Sequence, residues 1–156
     1  MAEKVTIGNC ELWHGDCREV LPLLPPCDLI LTDPPYGIGA DATNFQNGTS
    51  KRDDLYCTEW DAQRPAPWLF GLMREKAKEC VIWGGNYFTD LLPPSMRWLV
   101  WDKGQRDFSL ADCEFAWTSE QKAARILTLS RGEALRDGKE HPTQKPIELY
   151  ERAIAN

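Results

Sequence analysis

A chain of 156 residues supports one domain, residues 1–156, with a real hydrophobic core. Its 42% apolar and 27% charged residues are ordinary for a globular protein, and no apolar run is long enough to span a membrane. The net charge of −6 argues against broad, non-specific polyanion binding. The opening Met1-Ala2-Glu3-Lys4 lacks a basic-then-apolar leader pattern, so a cytoplasmic protein is expected. Cys10, Cys17, Cys27, Cys57, Cys80 and Cys113 include no Cys-x-x-Cys pair, which favours reduced, mostly buried thiols over disulfides or zinc. Two distant histidines, His14 and His141, argue against a His-rich metal site, and no metal is expected.

In chain order, Val5–Ile7 and Glu11–His14 flank Gly8-Asn9, a hairpin signal. Asp16 is a good N-cap for a short helix over Cys17–Leu24, whose apolar face is Leu21 to Leu24 and which Pro25-Pro26 end. Asp28–Thr32 follows as a buried strand, which Asp33-Pro34-Pro35 stops by removing two N–H donors. This reads as β–α–β. Residues 37–66 form one long polar loop carrying Lys51-Arg52-Asp53-Asp54, of the kind used for lids and binding. A helix is expected over Trp68–Lys78 and a strand over Cys80–Trp83. A short helix should then begin near Asn86 and stop at Pro93-Pro94, before a strand over Arg97–Trp101. Cys113–Thr118 and Arg125–Leu129 have no helix between them and read as an antiparallel pair at a sheet edge. A polar link over Ser130–Glu140 leads to His141-Pro142-Thr143-Gln144-Lys145-Pro146. The last helix, Ile147–Ala155, has Pro146 at its first position. The fold class expected is α/β, a mostly parallel sheet with an antiparallel edge. Residues 119–146 carry six Lys/Arg against four acids, a net +2 that leaves −8 for the rest. A nucleic-acid contact would most plausibly involve that segment.

The chemistry is concentrated in Asp33-Pro34-Pro35-Tyr36. In open α/β sheets ligands bind at the C-terminal ends of the strands, where this stretch falls. The Asp33 carboxylate and the Pro34 carbonyl are both acceptors, and neither prolyl nitrogen supplies a donor between them. A group with two hydrogens on a flat ring fits them: the exocyclic amine of a nucleobase. Tyr36 gives the ring a face to stack on. Two acceptors pulling on the N–H bonds rotate the amine out of conjugation and raise its lone-pair density.

Thr32-Asp33-Pro34-Pro35-Tyr36-Gly37 resembles the catalytic motif of the amino-group (N6-adenine/N4-cytosine) DNA methyltransferases, which use S-adenosyl-L-methionine. His141-Pro142-Thr143-Gln144-Lys145-Pro146 resembles the second signature of the subgroup with the β motif order. Gly15-Asp16-Cys17 is similar to that subgroup's N-terminus. Val81-Ile82-Trp83-Gly84-Gly85-Asn86-Tyr87 and Trp101-Asp102-Lys103 resemble segments of short, phage-type members. The resemblance covers nearly the whole chain. It implies a Rossmann-like methyltransferase fold, a target base flipped out of DNA, and in-line attack of its amine on the donor methyl. It implies that Asp33, Pro34, Pro35 and Tyr36 form the catalytic stretch. Asp16, Asp33, His141, Thr143, Gln144 and Lys145 would lie at the cofactor. Aspartate at the first motif position favours adenine N6, with cytosine N4 the alternative. An inactive nucleic-acid-binding remnant and an RNA substrate are the others.

One family feature is not present. The glycine-rich cofactor loop that follows the last helix in members of this order has no counterpart, and Gly37-Ile38-Gly39 and Gly84-Gly85 read as turn glycines. The fold is therefore expected to be incomplete. The strand beneath Asp33 should be an apolar edge, and S-adenosylmethionine binding should be weak. A homodimer or a complementing C-terminal segment is the corresponding partner. The short link between Trp117 and His141 leaves no room for a separate recognition domain, so a short or relaxed recognition sequence is expected.

Overall fold

The computed structural model describes residues 2–39, 60–106, 111–134, 136 and 143–156. Its centre is a mixed five-stranded sheet with helices on both faces. Strands β3 (Cys27–Thr32), β4 (Ala77–Trp83), β5 (Trp98–Asp102), β6 (Cys113–Thr118) and β7 (Arg125–Thr128) lie in the order β3-β4-β6-β5-β7. β3 pairs parallel with β4, and β5 parallel with β7. β6 runs antiparallel to both β4 and β5. Four strands therefore share one direction and β6 opposes them.

The two halves of each strand's side-chain alternation reach different cores, as a two-residue period requires. Val81, Trp83, Leu99, Trp101, Ala116 and Leu127 face one side, where they meet Leu149 and Ala153 of helix α4 (Ile147–Ala155). Cys80, Ile82 and Trp117 face the other side, with Phe70 and Met73 of helix α2 (Pro67–Lys76) and with Phe88. Trp83 and Trp117 are almost fully buried. The indole N–H of Trp117 donates to Pro93 O at 2.9 Å and that of Trp101 to Leu129 O at 2.9 Å, so both rings are buried with a polar partner.

Several sequence expectations change. The hairpin forms as β1 (Glu3–Ile7) and β2 (Cys10–His14), but as a two-stranded sheet of its own. The β–α–β unit is thus not a paired one: β2 and β3 flank helix α1 (Cys17–Leu23) in sequence without sharing a ladder. Val5, Ile7 and Leu12 remain exposed on the hairpin. In α1, Val20 is buried, Leu21 packs inward and Leu24 at its C-cap is half-buried, while Leu23 is exposed, so Val20 joins the expected apolar face and Leu23 leaves it. Lys76 Nζ donates to Pro22 O (2.9 Å) and Leu24 O (2.5 Å), satisfying carbonyls at the end of α1.

Helix α2 ends two residues early, because Ala77 turns extended and pairs opposite Cys27 as the first residue of β4. The short helix expected after Asn86 is a single 3-10 turn, Gly85–Tyr87. The largest revision concerns β6 and β7, which do not pair with each other. β5 takes both as neighbours, and β6 is interior because Ala116 and Trp117 are buried on opposite faces. A one-turn helix α3 (Arg131–Ala134) was not anticipated. Its signal is Ser130-x-x-Glu133, a capping box in which Ser130 N donates to Glu133 Oε2 (3.0 Å) and Glu133 N to Ser130 Oγ (3.3 Å). Pro146 stands at the N-cap of α4 rather than inside it. Among the described cysteines only Cys80 is buried, and Cys10, Cys17 and Cys27 are exposed free thiols. No helix among the described residues is long and apolar enough to cross a membrane. β3 lies at one edge of the sheet, as expected.

Candidate active site at the end of strand β3

Because β3 and β4 run parallel and in register, Thr32 and Ile82 finish side by side. Asp33 and Gly84 therefore leave the sheet at the same lip. β5 delivers Lys103 there. Antiparallel β6 begins there, with Glu114 opposite Trp101. Lys145, just before α4, enters from the far end of the chain.

Asp33 is held from two sides. The Tyr36 hydroxyl donates to Asp33 Oδ1 at 2.6 Å. Lys145 Nζ donates to Asp33 Oδ2 at 2.5 Å and to the Tyr36 hydroxyl oxygen at 3.1 Å. The same ammonium lies 3.2 Å from Glu114 Oε2, while Lys103 Nζ lies 2.6 Å from Glu114 Oε1. Lys145 is buried and sits 5.6 Å from the ring centres of both Tyr36 and Trp83. The cluster is a chain of alternating charge, Asp33–Lys145–Glu114–Lys103. Each carboxylate keeps lone pairs for a further donor.

The electrostatics follow from this arrangement. Burial, then the negative charge of Asp33 and the bond to it, push the Tyr36 hydroxyl far above its ordinary range, so it stays protonated as a donor. Burial raises the Glu114 carboxyl, but Lys145 and Lys103 outweigh it and hold it below its ordinary value. Tyr150 on α4 is pushed up to about 12 by burial, then by the charges of Asp33 and Glu114.

The loop leaving Asp33 is clamped by Asp61, which the sequence reading did not single out. Asp61 is only 1% exposed. Its Oδ1 accepts from Tyr36 N (2.6 Å) and Gly37 N (2.9 Å), its Oδ2 from Ile38 N (3.3 Å), and its carbonyl from Gly39 N (3.1 Å). Nearby, Arg64 holds Asp90 with two nitrogens (2.7 and 2.9 Å) and donates to Tyr87 O (2.8 Å), fixing the 3-10 turn beside the loop. The Tyr36 and Tyr87 rings stack with centres 4.8 Å apart at 17°. Gly84, in the left-handed region at φ 68°, packs so close that a Cβ there would lie 2.0 Å from Tyr36 Cε1. Asp61 and Glu114 lie outside both motif-like segments. An acid late in the long loop and the acid at the start of β6 are the only local signals for them.

Of the residues expected at a cofactor, Asp33 and Lys145 meet directly. Thr143 and Gln144 flank Lys145 on the same segment. His141 and residues 40–59 of the long loop fall outside the described residues. Asp16 caps α1, accepting from Arg18 N at 2.9 Å, and its oxygens also hold the Arg18 guanidinium. Arg18 keeps that carboxyl down at about 2. Pro34 is buried, and Pro35 and Tyr36 are half-buried. A separate recess of about 260 Å³, lined by Arg97, Thr118, Glu120 and the end of α4, contains none of these residues. Of the basic segment, Lys122 pairs with Glu120 and Arg136 with Glu133.

Comparison with protein-family models, with curated proteins and with solved structures gave no match.

Proposed function

We propose that this chain is the catalytic region of a DNA methyltransferase that acts on the exocyclic N6 amine of adenine, with S-adenosylmethionine as methyl source. One observation carries the reading. Lys145 and Asp33, 112 residues apart, come from the two segments that resemble the family's signatures, and they meet at 2.5 Å on the lip of a parallel strand. A buried ammonium and a tyrosine hydroxyl converge there on a single carboxylate. Packing alone does not call for that grouping.

In this reading Asp33 and the Pro34 carbonyl accept the two amine hydrogens. Tyr36 and Lys145 fix the orientation of the Asp33 carboxylate and leave its remaining lone pairs for the amine. The Tyr36–Tyr87 pair supplies the aromatic surface, with Tyr87 its exposed member. The cluster is neutral overall, because Lys145 and Lys103 pair with the partly exposed carboxylates Asp33 and Glu114, so its net charge neither draws nor repels a cationic donor. Asp33, Thr143 and Gln144 would hold the donor, which supplies an electrophilic methyl group when bound. The grip is one-sided, because Asp16 is committed to Arg18 and Gly84 is filled by Tyr36. Weak donor affinity follows.

The test is expression of the chain in a bacterial host without adenine methylation, followed by mass spectrometry of nucleosides from its DNA. N6-methyladenine should appear with the natural chain and vanish with Asp33→Ala. N4-methylcytosine instead would move the substrate to cytosine. Unmethylated DNA together with retained DNA binding in vitro would identify the inactive remnant and overturn the reading.

A further inference from the structure

An exocyclic amine that has gained a methyl group carries one hydrogen too many and a positive charge. It becomes a stable product only when it loses that proton. Asp33 is the base within reach, but its surroundings are crowded. Tyr36 covers Oδ1, Lys145 covers Oδ2, and the amine itself takes the open side. The Asp33 side chain is 21% exposed, and in this pose the amine fills that opening, so the proton's way to water leads past the substrate or through a covering group. Among the described residues, Lys145 joins Asp33 to a second carboxylate: its Nζ lies 3.2 Å from Glu114 Oε2. Its side chain is 4% exposed, whereas that of Glu114 is 30% exposed. Lys103 occupies the other Glu114 oxygen, Oε1, at 2.6 Å, so Oε2 is the one turned to Lys145.

We propose that Lys145 and Glu114 form the exit route for the proton that the methylated amine sheds. This rests on the methyl-transfer reading above. The steps balance as follows. An amine N–H bond breaks, its electron pair stays on nitrogen, and the proton forms an O–H bond on Asp33. Lys145 gives one N–H proton to Glu114 Oε2 and takes the proton of Asp33 through Oδ2. Glu114 releases its proton to water. Asp33 and Glu114 end as carboxylates, Lys145 as an ammonium, and one proton has passed from amine to solvent. Asp33 touches the substrate. Lys145 and Glu114 act through it.

The experiment measures steady-state methyl transfer to DNA by the full chain at saturating donor. Glu114→Ala should lower kcat by about a hundredfold, the scale of a lost proton-transfer partner, with KM for DNA changed less than about twofold. Added formate should restore much of that rate by standing in for the missing carboxylate. Glu114→Gln keeps the volume but cannot pass a proton. It should be as slow, resist formate, and show a solvent deuterium effect on kcat that the natural chain lacks. Lys145→Arg keeps the charge but does not give up a proton at accessible pH, and should also be slow. If Glu114→Gln and Lys145→Arg run at the natural rate, or formate rescues nothing in a folded Glu114→Ala, the route is wrong while the methyl-transfer reading stands. If the natural chain methylates nothing, both fall together.

Discussion

Replacing Asp61 by alanine tests the idea that one buried carboxylate shapes the loop leaving Asp33. Three backbone N–H groups converge on it, at 2.6, 2.9 and 3.3 Å. A hydrogen bond to a charged group contributes about 1.5–3 kcal/mol. Tyr36 is half-buried, so its N–H loses that amount in full. Gly37 and Ile38 are exposed and their N–H groups regain water, so they lose a fraction. The sum is about 3 kcal/mol, which lowers the melting temperature of a domain of this size by roughly 6–12 °C. Asp61→Asn keeps one acceptor oxygen for Tyr36 and Gly37 and should cost about 1 kcal/mol. Thermal unfolding followed by circular dichroism gives the magnitude. Amide exchange at Tyr36, Gly37 and Ile38 gives the location, and these three should lose protection in the alanine variant. An Asp61→Ala protein that melts within about 1 °C of the natural chain, with the same exchange at those amides, would refute the clamp.

Gly84→Ala should be strongly destabilising. It places a Cβ 2.0 Å from the Tyr36 ring in a left-handed conformation, and overpacking with backbone strain together cost about 2–4 kcal/mol. Urea denaturation reads this, and a loss under about 1 kcal/mol would mean the ring moves freely. The Glu114 carboxyl, held below its ordinary 4.5, contributes stability that is fully present above that value and lost as pH falls through its lower folded value. Unfolding curves from pH 7 down should therefore show Glu114→Gln less stable at neutral pH and converging with the natural chain in acid. Parallel curves would contradict the pairing. Burial pushes the Cys80 thiol up to about 11. Peptide mapping after brief maleimide treatment at pH 8 should find Cys10, Cys17 and Cys27 modified and Cys80 untouched. Early modification at Cys80 would count against the packing of α2 on the sheet.

The sequence by itself determined the features that act over a few residues. Gly8-Asn9 made a hairpin, Asp16 capped a helix, and two prolines ended a strand. Short apolar runs marked β3, β4 and β5. All are local balances of backbone geometry and hydrogen bonding, legible without knowing what lies opposite. The residue types at Asp33–Tyr36 likewise suggested an acceptor site before any geometry was known. Strand pairing was a different matter. The pattern of β6 and β7 fits an edge hairpin as well as separate places beside β5, and only the burial of Trp117 and Ala116 on opposite faces made β6 interior. Tertiary structure also decided the site's membership. Asp61 and Glu114 carry no motif, and their roles come from the backbone N–H groups that meet Asp61 and from the reversed strand that begins at Glu114. Asp16 is held by a neighbouring arginine, a contact the sequence reading did not include. Lys145 was suggested by resemblance alone. Its contact with Asp33 exists because β3 and the segment before α4 end at the same place, and no sequence spacing encodes a distance across 112 residues.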